Sequence, residues 1–163
     1  MITVRPFRAP DTAAREAVFF RAVREGAAGF YDEAQRRDWA PDDDGAEGED
    51  LGTKLLAQSA WVSEEDGAVT GFMSLMPGGH LDMAFVLPEV MGKGHAAALY
   101  EALLAHARRA GLPRLTVHAS EYSRRFLQRR GWVLERVEVL VRPGDVRYDR
   151  NHMSIALTGE GRP

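Results

Sequence analysis

The segment from Leu81 to Ala110 constrains this 163-residue chain more than any other. An apolar run, Leu81 to Leu87, leads into Pro88-Glu89-Val90-Met91-Gly92-Lys93-Gly94-His95, and an amphipathic stretch, Ala96 to Ala110, leads out. Strand, glycine loop and helix in that order commit the chain to a strand–helix–strand unit and so to at least one parallel pair. The first turn of any helix leaves N–H donors unpaired, and the helix dipole adds partial positive charge there. Gly92 and Gly94 let a bulky anion approach the main chain. A phosphorylated ligand is therefore expected at this loop. The P-loop spacing is absent, and Ala97 stands where a dinucleotide fingerprint needs its third glycine.

The flanking patterns build a mixed sheet. Ile2 to Arg8 reads as a strand stopped by Pro10, and Asp11 as the cap of a helix reaching about Glu25. Gly26 and Gly29 break that helix, and Tyr31 to Trp39 reads as a second, ended by Pro41. Residues 42 to 50 carry six acids and two glycines and read as a flexible acidic loop. Leu51 to Gln58 suits one or two helical turns. Ser59–Ser63 and Ala68–Met76 read as strands joined at Glu65-Asp66-Gly67, a hairpin signal. Gly78-Gly79 turns the chain into the Leu81 strand. In the next helix Ala96, Leu99, Tyr100, Leu103 and Ala107 form one stripe, with Gly111 as its stop. Leu115–Ala119 is a buried strand, and Ser120 caps a short helix ending at Gly131. Val133–Val141 and Val146–Leu157 form a closing hairpin around Pro143-Gly144-Asp145. The expected fold class is α/β (α+β, with a mixed sheet): mostly antiparallel strands, one parallel splayed pair, helices on both faces. One domain is expected, its core at about residues 2–157.

Composition narrows the function. The net charge of −3 gives no general attraction to nucleic acid or to acidic membranes. The absence of cysteine removes disulfides, thiolate metal sites and a cysteine nucleophile. No run reaches transmembrane length and no signal-peptide core is seen, so a cytoplasmic protein without membrane or nucleic-acid partners is the expectation.

The loop resembles the signature of GCN5-related N-acetyltransferases, Q/R-x-x-G-x-G/A after a strand ending V-x-P. Val86-x-Pro88, Gly94 and Ala96 match, while Met91 stands where glutamine or arginine is usual. Further on, Phe126, Gly131 and Trp132 resemble the family's F-Y-x-x-x-G-F run. Ser120 there replaces an asparagine and Leu127 the tyrosine. The opening Thr3-Val4-Arg5-Pro6-Phe7 and Asp11 are similar to the family's first strand and cap.

That resemblance implies acetyl-CoA as cofactor and acetyl transfer to a primary amine of a small molecule or protein, by direct attack in a ternary complex. It implies main-chain contacts from Phe85 and Val86 to the acyl-pantetheine, and from Gly92, Lys93, Gly94, His95 and Ala96 to the pyrophosphate, with the Lys93 cation beside it and Met91 at the cofactor-side position of the usual glutamine or arginine. Ser120, Arg125 and Phe126 join the cofactor side, Arg125 within a cluster with Arg124, Arg129 and Arg130 suited to a phosphate. General-base candidates are His80, Asp82 and His118. Strand alternation puts His80, Asp82 and Ala84 on one face, and imidazole titrates in the useful range. With Leu127 unable to donate a proton, either Tyr122 or Tyr148 is the acid or the thiolate leaves without one. His106 reads as a surface residue. Homodimers are common in the family. The alternative is a non-catalytic acyl-CoA sensor of the same fold, which the replacements at Met91 and Leu127 favour.

Overall fold

The computed structural model describes residues 1–42 and 54–157. Seven strands form one sheet in the order β1-β2-β3-β4-β5-β7-β6. They are β1 (Thr3–Pro6), β2 (Ser59–Glu65), β3 (Ala68–Leu75), β4 (His80–Val86), β5 (Arg114–Ala119), β6 (Val133–Arg142) and β7 (Val146–Ala156). All neighbours are antiparallel except β4 and β5. The expected mixed sheet with one parallel pair is what forms. The acidic loop lies outside the described residues from position 43 on. Its first residue, Asp42, pairs with Arg24 and Arg37.

Each sheet face has its own apolar cluster. Helix α1 (Thr12–Arg21) lays Val18 and Phe19 on Phe7, Val62 and Phe72. A π-helical turn, Ala22–Gly26, extends it, and α2 (Glu33–Trp39) follows, capped by Asp32. On the opposite face α3 (His95–Arg109) buries Leu99, Tyr100, Leu103 and Ala107 against Met73, Leu75 and Leu115. The expected stripe is the buried one except at Ala96, which is only partly buried, and Leu104 extends it. Helix α4 (Glu121–Gln128) is capped by Ser120, whose hydroxyl accepts from Ser123 N–H. Leu127 is buried in this core.

Two sequence expectations are corrected by local contacts. Asp11 precedes α1, but its carboxylate turns back to accept from Arg8 N–H and from both terminal nitrogens of Arg5, so it staples β1 rather than capping α1. Arg5 holds that carboxyl below the usual carboxylate range, against the upward pull of burial. His106 is half-buried, with Nε2 at 3.1 Å from Ser59 Oγ and its ring against Trp61. It is a structural residue, not a surface one.

Trp132 Nε1 donates to Tyr100 Oη at 2.8 Å, both side chains buried. Trp132→Phe leaves that hydroxyl unpaired. A loss of about 1–3 kcal/mol is expected in urea unfolding; a change within experimental scatter would mean the bond contributes nothing net.

Candidate active site

Strands β4 and β5 pair only at His80↔Thr116 and Leu81↔Val117. Beyond Leu81 they part, and the gap opens toward the glycine loop. The register of β4 against β3 jumps here: Leu75 faces Leu81, but Ser74 faces Met83. Asp82 is thus the extra residue of a β-bulge, which inverts the alternation beyond it. Leu81 and then Ala84 and Val86 lie with the α3 cluster, whereas Met83 and Phe85 turn to the α1 side. His80, Asp82 and Ala84 therefore do not share a face, contrary to simple alternation.

The same register aims the main chain. Leu87 N–H donates to Thr70 O at 2.8 Å, and hydrogen-bonded and non-bonded pairs alternate from there. Phe85 falls on a bonded pair with Phe72, so its main chain is taken by β3. Val86 faces Gly71 in a non-bonded pair and turns its N–H and C=O into the gap. Of the two expected main-chain contacts, only Val86 is placed to make one. Gly71 makes the close approach possible: a Cβ there would lie 2.7 Å from Val86 Cγ1.

Tyr122 completes this corner. Its hydroxyl is buried, with the Val86 main chain beside it as a weak hydrogen-bonding partner and no well-formed hydrogen bond to any other described residue. Burial pushes its phenol up, and the Val86 main chain works the other way. A proton-bearing oxygen and an outward-facing peptide thus share one end of the gap.

At the loop, Gly92 and Gly94 take φ of +75° and +94°. Gly94 is the N-cap of α3 and offers no side-chain cap, and the first helical bond runs from Ala98 N–H to Gly94 O. The N–H groups of His95 and Ala96 therefore precede the ladder. Lys93 N–H is already given to Val90 O at 3.1 Å, which removes one expected donor, although its exposed ammonium remains. The His95 ring points inward, Nδ1 at 2.8 Å from Thr70 Oγ1, so only its main chain faces the loop. These are the features a pyrophosphate needs: open space, positive-φ glycines and unpaired helix-terminal donors.

Three cavities connect these parts. One of about 320 Å³ is lined by Met91, Gly92, Ala96, Val86, Tyr122, Arg125, Phe126 and Arg129, among others. A second, also about 320 Å³, shares Ala84, Phe85 and Ser123 with it and adds Asp82, His118 and Ser120. The third, about 340 Å³, shares Trp39, His118 and Ser120 with the second and is walled by Tyr31, Tyr148, Asp38 and Asp149. Ser120, expected on the cofactor side, lines the second and third cavities and spends its hydroxyl on its cap. The arginine cluster also divides. Arg125 and Arg129 line the first cavity. Arg124 pairs with Glu121 and Asn151, and Arg130 stacks on Phe126 with its guanidinium 3.6 Å from the ring centroid.

The three base candidates differ sharply. Asp82 accepts from Gln58 Nε2 (3.0 Å) and pairs with Lys54 (3.2 Å). His80 Nδ1 is held by Thr116 Oγ1 at 2.9 Å and lines none of the three cavities. His118 makes no side-chain hydrogen bond among the described residues and lines two cavities. Both imidazoles are held below their ordinary range, chiefly by burial. Tyr148 donates to Asp38 and the Gln35 carbonyl and is fixed in the third cavity's wall, away from the gap. Sequence reasoning missed His152, whose ring lies 4.2 Å from that of His118.

A sequence profile described as Acetyltransferase (GNAT) domain matches residues 46–142. The uncharacterized N-acetyltransferase YafP of Escherichia coli (strain K12) is 31% identical over 131 residues, which span 80% of this chain and 81% of that protein. A crystal structure of a GCN5-related N-acetyltransferase from Rhodopseudomonas palustris superposes with a TM-score of 0.86 at 28% identity, covering 95% of each chain. The PaiA N-acetyltransferase of Thermoplasma acidophilum, solved in complex with coenzyme A, gives a TM-score of 0.76 at 16% identity over 96% of this chain and 99% of that one.

Proposed function

Because the chain belongs to the GNAT acetyltransferase family, we propose that it transfers an acetyl group from acetyl-CoA to a primary amine. The observation that carries this reading is the buried Tyr122 hydroxyl set beside the gap-facing Val86 main chain. Acetyl-CoA brings an activated thioester to that corner. The helix-terminal N–H groups after Gly94 hold its pyrophosphate, with Lys93 beside them and Arg125 and Arg129 along the cavity. Val86 N–H orients the acyl carbonyl. Tyr122 Oη carries the proton for the departing sulfur, taking over the role that Leu127 cannot fill. Burial keeps that phenol protonated, as an acid must be. His118 takes the proton of the attacking ammonium, because it alone among the candidates has a free ring on the cavities leading to the gap. The acceptor enters through the aromatic third cavity. The cytoplasm is the compartment that supplies this chemistry with acetyl-CoA and amines; among the described residues no helix is long and apolar enough to cross a membrane.

The test pairs calorimetric binding of acetyl-CoA with a free-thiol assay over an amine panel. Tyr122→Phe is expected to lower kcat about 10- to 100-fold, and His118→Gln about 100-fold or more, with acetyl-CoA affinity kept within about twofold in both. Tight binding with no turnover on any amine would sink the enzyme reading and leave the acyl-CoA sensor.

A further inference from the structure

His80, His118 and His152 form a row across β4, β5 and β7. The ring centroids are 4.7 Å apart for the first pair and 4.2 Å for the second. The register accounts for it: His80 pairs with Thr116, two residues before His118, and His118 pairs with His152. The two outer rings have partners. His80 Nδ1 meets Thr116 Oγ1, and Asp82 favours its charged form. His152 Nε2 donates to Glu138 Oε1 at 2.9 Å. The middle ring has neither. No group of three or more histidine or acidic side chains among the described residues is arranged to hold a metal ion, so the row is not a metal centre.

Imidazoles this close cannot all be charged, because each imidazolium raises the cost of protonating the next. We infer that His152, pinned by Glu138, is a positioning residue that takes the positive charge of the row and leaves His118 as a free base at the acceptor cavity. A charge on His118 would face His80 on β4 and both His152 and Arg150 on β7. Glu138 on β6 is already shared by Arg150 and His152, both on Oε1. Across the third cavity, Asp38 is paired with Arg142, and Asp149 stands at the rim. Glu138 stays ionised throughout, its carboxyl drawn down to about 2 by His152 and then Arg150. In the transfer, the ammonium N–H bond breaks, the proton moves to a His118 ring nitrogen, and the electron pair stays on the amine as the nucleophile.

This inference rests on His118 as the base, and its test does not depend on turnover. Histidine-selective NMR titration of the apo protein reads the His118 midpoint in the wild type, in His152→Gln and in His152→Lys. His152→Gln should move the midpoint up. His152→Lys restores a cation opposite Glu138 and should hold the midpoint at or below its wild-type place. With an acceptor in hand, the ratio of kcat/KM near pH 6 to that near pH 8 should fall about threefold in His152→Gln and not in His152→Lys. An unmoved midpoint in His152→Gln, or a rise in His152→Lys, overturns the inference. The lysine variant decides alone should the glutamine variant fail to fold. Failure to turn over any amine would count against the enzyme reading, while the midpoints still judge the histidine row.

Discussion

Gly94→Trp abolishes acetyl-CoA binding, with a Kd raised at least about 100-fold in calorimetry. Two effects combine. Gly94 sits at φ +94°, where an L side chain is strained by about 1–2 kcal/mol. An indole there also fills the space over the first turn of α3, where the unpaired N–H groups point. The strain alone is not the cause: a Cβ at Gly94 meets only Ile2 Cδ1 at 3.7 Å, an ordinary contact. Gly67→Ala, in the β2–β3 hairpin turn away from the glycine loop, is the control. It shares the positive φ, with nothing within 4 Å of its Cβ, and should lose stability without losing the site. Retained affinity in a folded Gly94→Trp protein would remove the glycine loop from the cofactor site.

Gly79→Ala is expected to give the largest loss of stability, about 2–4 kcal/mol. In thermal unfolding that is a Tm lower by roughly 5–15 °C. Here strain and collision coincide. The φ is +94°, and the new Cβ would lie 2.8 Å from the Arg114 carbonyl, a backbone atom that cannot swing away. Gly79 also accepts from Thr116 N–H at 3.0 Å, the bond next to the short parallel contact of β4 and β5. Relief of the clash would push the two strands apart where they hold His80 against Thr116. The site should suffer along with the fold. A Tm within about 2 °C of wild type would show that the turn rearranges freely.

The elements themselves were legible because each is marked locally. Asp66 and Gly67, both at positive φ, make the hairpin turn that Glu65-Asp66-Gly67 signals. Gly111 at φ +71° follows the last turn of α3, and Ser120 caps α4 as its position suggests. The glycine loop was readable for the same reason. What could not be read depends on register. No glycine or proline marks the bulge at Asp82, so alternation carried the wrong face past Leu81. His152 lies 34 residues from His118 in sequence, and only the antiparallel pairing of β5 with β7 makes them neighbours. The four arginines of the α4 region look alike in sequence; whether each meets a cavity, an acid or a ring follows from helix phase and from what packs opposite.

The extra residue in β4 separates two jobs along a single strand. Residues before it are held by β3 and β5 together, and residues after it by β3 alone. A relative one residue shorter between Leu81 and Ala84 could keep its phosphate loop untouched and yet turn the His80 end of the strand to the other side of the sheet. Divergence in acceptor choice within this architecture can therefore proceed by length change at one point, with no replacement of any side chain that touches the acceptor.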